Sequence, residues 1–186
     1  MKKEKENILP AGPLMIEHRL IERMIEPARR QLENVRKNKK TDTDFLENLI
    51  DFISIYADKC HHGKEEDILF ERLKEKPTSE EHTKIMGKLL SDHMHGRELV
   101  ADLREAVKKY REGQSDSLSD IGRSLEGLIK LYPQHIDKED NHFFLPVMEY
   151  FDKKEQDDML AQFKEFDKTL IHEKYKEVME RMESGT

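Results

Sequence analysis

Two stretches of this chain carry the same chemistry-bearing pattern. His61-His62-Gly63-Lys64-Glu65-Glu66 and His135-Ile136-Asp137-Lys138-Glu139-Asp140 both read His-x-x-Lys-Glu-acidic. Residues four apart lie one above the other on a helix. His61 with Glu65, and His135 with Glu139, therefore each present an imidazole beside a carboxylate. A lone histidine precedes each pair at nearly the same offset: His18 lies 43 residues before His61, and His93 lies 42 before His135. The halves superpose with a shift of 75 residues at the lone histidines and 74 at the pairs. A single histidine of this kind is more often a solvated residue on a charged helix, but six residues at matched spacing in two halves are not. Four imidazoles and two carboxylates converging inside a bundle make a ligand set for two divalent transition metals. Mixed nitrogen and oxygen donors suit iron, and a set without cysteine disfavours structural zinc.

The elements that must position these residues follow from periodicity. Apolar residues at Leu14, Ile21, Met24, Ile25 and Leu32 predict a first helix from Pro13 to about Asn38, interrupted and kinked at Pro27. Phe45, Leu49, Phe52, Ile53 and Tyr56 open a second helix that reaches about Lys74 and stops at Lys76-Pro77. Thr78-Ser79-Glu80-Glu81 has the form of a capping box for a third helix, which runs past Leu89, Leu99 and Leu103 to the Gly113 region. A fourth passes Leu125, Leu128 and Leu131 to Phe143, with Pro133 and Pro146 as distortions. The fold class expected is all-α, an up-down-up-down four-helix bundle. Residues 1–12 are expected to be a flexible tail, 13–150 the bundle, and 151–186 a helix packed on it, with Leu160, Phe163, Phe166, Leu170 and Val178 inward.

Composition agrees with a helical domain and excludes several classes. Charged residues make up 39% of the chain and apolar residues 35%, and 33 Lys+Arg against 40 Asp+Glu leave a net charge of −7. Such a charge fraction can signal disorder, but the apolar residues recur at helical spacing. No long basic run invites nucleic acid or an anionic membrane. Nothing approaches the roughly 20 apolar residues of a membrane span, and the basic N-terminus lacks the apolar stretch of a signal peptide. The single Cys60 forms no intramolecular disulfide and fits a reducing cytoplasm. A ferritin-type site needs Glu-x-x-His on two helices with lone Glu on the others, which this chain lacks.

The segments IEHRLIERMI, CHHGKEEDILF, DHMHGRELV and HIDKEDNHFFLP resemble the four metal-binding signatures of hemerythrin-like HHE domains, over about residues 14–150. The resemblance implies two iron ions, bridged by the carboxylates of Glu65 and Glu139 and by an oxo or hydroxo group, with His18, His61, His93 and His135 as nitrogen ligands. It implies as partner a small diatomic molecule or peroxide; the cytoplasmic location is the expectation drawn from the lone Cys60, and the sequence indicates no protein partner. Oxygen-carrying members use a fifth histidine one turn further along the third helix, where this chain has Arg97. Four histidines leave about one coordination position open on each iron. That suits a centre that reacts with oxygen, nitric oxide or peroxide, or handles iron under oxidative or nitrosative stress. Four His with two Glu is also the ligand set of iron-cluster repair proteins and of the eukaryotic iron-sensing hemerythrin domain. Iron or oxygen sensing and reversible oxygen binding are therefore alternatives.

His62 with Glu66 competes with His61 and Glu65, but the latter register aligns Lys64-Glu65-Glu66 with Lys138-Glu139-Asp140. Whether His62 or His142 also binds metal stays open, and His142, on the stripe of His135, could instead support a ligand from behind. Glu22 and Arg97, one turn after His18 and His93, are expected to pair beside the metals. Tyr56 and Tyr132 could donate a hydrogen bond to a bound small molecule. Phe70, Phe143 and Phe144 would wall the site from water, Cys60 is rotated away from it, and His82, His95 and His172 read as surface residues.

Overall fold

A computed structural model describes residues 8–184, with side chains described for residues 8–169. Four rods make an antiparallel bundle. The first is α1 (Ala11–Asn38); it runs through Pro27 without a break and ends where Lys39 takes a left-handed conformation at φ 52°. The second begins as α2 (Thr43–Phe52), capped by Asp42, whose carboxylate accepts the Asp44 and Phe45 N–H groups. It continues through two π-helical stretches, Ile53–His62 and Glu65–Phe70, and closes in α3 (Glu71–Lys74). The third rod is α4 (Glu80–Arg111) and the fourth α5 (Ser117–His142). The cap of α4 is Ser79, accepting the His82 N–H at 3.2 Å, one residue after the Thr78 start expected of the capping box. Short α6 (Phe144–Val147) and a 3-10 turn (Met148–Tyr150) lead to α7 (Lys153–Ser184).

Each rod touches two others: α1 packs on α5 and on the second rod, and α4 does the same. The ring is closed. The long α7 lies outside it against the π-helical stretches of the second rod. Gly63 permits this close approach, because a Cβ there would sit 2.6 Å from the Phe166 ring. Among the described residues there is no strand, and no helix is long and apolar enough to cross a membrane.

Two apolar slabs hold the bundle together. One gathers Ile21, Leu32, Leu46, Leu103, Leu125 and Leu128; the other gathers Leu14, Leu69, Phe70, Leu89, Phe143 and Phe144, with Met159 and Phe163 of α7. Each fully buried side chain of this size contributes roughly 1.5–3 kcal/mol. Every rod crosses from one slab to the other through a polar layer: α1 at His18, the second rod at His61 and Glu65, α4 at His93, and α5 at His135 and Glu139. These apolar slabs on both sides offset the desolvation of the layer and keep water out of it.

The boundaries differ from expectation in three places. α1 begins at Ala11, which is buried, so the chain is already helical and packed before Pro13. α5 stops at His142 rather than Phe143, and Pro146 falls in the separate α6. Residues 1–7 of the expected tail, and the side chains of Leu170, His172 and Val178, lie outside the described residues.

Candidate metal centre

The structure brings the six residues singled out by spacing into one buried layer. His18, His61, Glu65, His93, His135 and Glu139 are all at most 3% exposed. The imidazoles meet in two pairs across the bundle. His18 Nε2 approaches His61 Nε2 at 2.8 Å, and His93 Nε2 approaches His135 Nε2 at 3.2 Å. The two carboxylates lie between the pairs. Glu65 places Oε1 3.4 Å from His61 Nε2 and Oε2 3.4 Å from His93 Nε2. Glu139 places Oε2 3.1 Å from His18 Nε2 and Oε1 3.2 Å from His135 Nε2. Each carboxylate thus offers one oxygen to each histidine pair.

Behind each imidazole stands a carboxylate from a neighbouring rod, and behind each carboxylate a cation. His18 Nδ1 donates to Asp140 at 2.7 Å, and Arg19 holds Asp140. His61 Nδ1 donates to Glu17 at 2.8 Å, and Lys64 holds Glu17. His93 Nδ1 donates to Glu66 at 2.7 Å, and Arg97 holds Glu66 at 2.7 Å. His135 Nδ1 donates to Asp92 at 3.4 Å, and Lys138 holds Asp92. This arrangement fixes the tautomer: the proton sits on Nδ1 and the Nε2 lone pair points inward. The internal repeat extends into this outer ring, since the 75-residue shift carries Glu17 onto Asp92 and the 74-residue shift carries Lys64 onto Lys138 and Glu66 onto Asp140.

The electrostatics of the layer are those of a cation site. Burial pushes the Glu65 carboxyl well above the ordinary carboxylate range; it does the same for Glu139, where the neighbouring Glu65 charge adds to the effect. Burial also pushes His61 well below the usual imidazole value, and His135 down to about 4. The outer carboxylates behave oppositely. Burial would raise Asp92, but hydrogen bonds from His135 and Lys138 outweigh it and hold the group at about 2. Glu66 is likewise held below its usual range against burial by His93 and Arg97.

These features pass a test of fit to bound metal. All four carboxylate oxygens of Glu65 and Glu139 are buried without a hydrogen-bond donor, an expensive arrangement unless a cation supplies the partner. The Nε2 atoms that face each other at 2.8 and 3.2 Å are both acceptors in the fixed tautomer. Two nitrogens bound side by side to one metal at ~2.1 Å stand about 3 Å apart.

A fifth imidazole, left open by the helical spacing, also stands in the layer. His62 is buried, and its ring stacks on His93 with centroids 3.8 Å apart and planes 14° from parallel. In an α-helix of ~3.6 residues per turn, consecutive side chains diverge by ~100°, so His61 and His62 should not share a face. The π-winding widens the turn, with the Gly63 N–H bonded to the Asp58 carbonyl five residues back, and both rings turn inward. The sequence signal that could have revealed this is the doubled histidine itself, with Asp58 one turn before it.

Other expectations fare differently. Glu22 and Arg97 do not pair: Glu22 binds Arg19 at 3.3 Å, while Arg97 binds Asp58 at 2.8 Å and Glu66 at 2.7 Å. The reason is that α1 and α4 sit diagonally across the bundle, whereas the second rod adjoins α4. His142 is exposed at the end of α5, and the chain turns at Phe143, whose ring takes the buried position. His95 is exposed, and His82 is half-buried, sharing a hydrogen bond with the Tyr150 hydroxyl at 2.9 Å. Phe144 stacks on His18 at 5.5 Å and Phe70 on His93 at 6.2 Å, so the aromatic wall is in place. Cys60 donates to Asp167, and burial pushes its thiol up to about 12, outside the reactive range. Tyr56 stacks on Phe52, with ring centroids 5.2 Å apart. Tyr132 is buried and lines a cavity of about 210 Å³ that reaches His62 and His93 between the second rod and α4, with Arg97 and Arg104 also on its wall.

A closed four-helix bundle with a buried layer of imidazoles and shared carboxylates defines a metal-binding helical protein. The hemerythrin HHE cation binding domain model matches residues 11–145 of this chain, and the chain belongs to that family. No curated protein and no solved structure matches it.

Proposed function

We propose that the chain is a non-haem di-iron protein whose centre reacts with a small molecule such as oxygen, nitric oxide or peroxide. Glu65 and Glu139 would bridge the two irons, His18 and His61 would bind one, and His93 and His135 the other. The observation that carries this reading is the division of both carboxylates, each with one oxygen toward each histidine pair. Donors limited to imidazole and carboxylate favour iron over sites that select softer metals.

The iron pair, when bound, would supply redox chemistry toward such a molecule. The protein's part is positional. Glu17, Glu66, Asp92 and Asp140 hold the four imidazoles in one tautomer and raise their basicity. Phe70, Phe143 and Phe144 exclude water from one side. The adjoining cavity is below the ~300 Å³ of ordinary small-ligand pockets, so it admits molecules of a few atoms and excludes larger substrates.

Anaerobic purification with metal counting, followed by rapid-mixing spectra with oxygen, peroxide and nitric oxide, tests the reading. Two irons per chain and a rapid spectral change with at least one of these molecules are expected. One iron in fully loaded protein would overturn the paired centre; two unreactive irons would overturn the reactive role.

A further inference from the structure

We propose that His62 is a fifth nitrogen ligand, bound through Nε2 to the metal of His93 and His135, so that the centre is asymmetric. The assignment rests on the two-metal reading of the same layer. Its first support is position. His62 offers a donor atom that lies, with those of Glu65, His93 and His135, in a group whose members are all within 4.8 Å of one another. The second such group is His18, His61, Glu65 and Glu139, so the two share Glu65 and differ in their histidines.

Its second support is orientation. His62 Nδ1 donates to Asp58 at 3.3 Å, and Arg97 holds Asp58 at 2.8 Å. This is the same sequence of imidazole, carboxylate and cation that stands behind each of the other four histidines. Arg97 serves both His62, through Asp58, and His93, through Glu66. With the Nδ1 proton committed, Nε2 is an acceptor, and it is buried without a partner. A buried polar atom left in that state is costly, and in native proteins it ordinarily has a partner; here a metal held by its neighbours supplies one.

Its third support is the broken repeat. The 74-residue shift that carries His61, Lys64, Glu65 and Glu66 onto their counterparts carries His62 onto Ile136, a buried apolar residue. One half of the bundle has a nitrogen donor where the other has hydrocarbon. The metal near α4 then takes three imidazoles and the metal near α1 takes two, and about one coordination position remains open in the pair. That position falls on the His18/His61 metal. His62 stands on the wall of the 210 Å³ cavity, so its removal opens the other metal to that cavity.

Metal counting and Mössbauer spectra of iron-loaded wild-type, His62→Ala and His62→Met protein test this. Methionine fills the space of the ring without an imidazole nitrogen. The wild type is expected to hold two irons in two distinct environments of equal weight. Both variants are expected to release one iron to a chelator roughly 100-fold faster, or to change the spectrum of one environment alone. Added imidazole, entering through the cavity, is expected to restore the wild-type spectrum in His62→Ala only. Two irons with unchanged spectra and release rates in both variants would overturn the ligand assignment and leave the di-iron reading standing. Fewer than two irons in the loaded wild type would overturn both.

Discussion

Glu66 accepts the Nδ1 proton of His93 at 2.7 Å, from the position next to the carboxylate that faces the imidazole nitrogens. Glu65 and Glu66 are adjacent glutamates with different tasks, one inside the layer and one behind it. Glu65→Ala is expected to abolish paired metal binding, because both histidine pairs lose an oxygen. Glu66→Ala should retain two metals with affinity reduced ~10–100-fold, the usual effect of removing an outer hydrogen-bond partner. Metal titration of both variants decides it, and equal losses would refute the division of roles.

Arg97 is a support and not a vacant ligand position. Its guanidinium binds Asp58 and Glu66, and the His62 ring already stacks on His93. Arg97→His is therefore expected to add no nitrogen to the metal. It should speed metal loss ~10-fold by loosening both carboxylates. A new histidine ligand seen by X-ray absorption, with slower metal loss, would contradict this geometry.

Metal binding and stability should be linked through pH with opposite signs from two sets of groups. Glu65 and Glu139 have raised values in the fold, so their contribution is complete below 4.5 and is lost as pH rises through the folded values. His61 and His62 have lowered values, and His135 falls to about 4, so their contribution is complete above 6.5 and is lost as pH falls. Above about pH 6.5 the imidazole contribution is complete, so the raised carboxyls, wherever they still titrate, should make the metal-free Tm decline with rising pH. The loaded protein, whose carboxylates are already ionised against cations, should hold a level Tm. Thermal scans of both forms check this, and a metal-free Tm that rises with pH would contradict it.

Lys64 ties α7 to the layer, since its buried ammonium binds both Glu17 and Asp167 of α7. Lys64→Met leaves the half-buried Glu17 carboxylate without its cation and should cost about 3 kcal/mol. Lys64→Met with Glu17→Gln should recover part of that loss, because the stranded charge is gone. Urea unfolding of the single and double variants measures the coupling. A double variant no more stable than Lys64→Met would show that the pair contributes no such term.

Much of this molecule is legible in helical periodicity. Apolar spacing marked four rods, and His-x-x-x-Glu at matched offsets placed His61 with Glu65 and His135 with Glu139 on one face each. The lone His18 and His93 followed from the repeat. These are local properties, because the ~100° advance per residue of an α-helix sets which side chains share a face whatever surrounds them.

Three things were decided only by the tertiary structure. His62 faces the layer because the second rod is π-wound there, and a residue spacing read at the α-helical period assigns it to another face. The carboxylate behind each of the four imidazoles comes from a different rod, as Glu17 does for His61 and Asp140 for His18, so its identity depends on how the rods are rotated and how far they slide. Arg97 meets Asp58 and Glu66 instead of Glu22 because the second rod, not α1, lies beside α4. The sequence determined which residues share a helix face; the packing of one rod on another determined which faces meet, since ridges and grooves with many neighbours set that geometry.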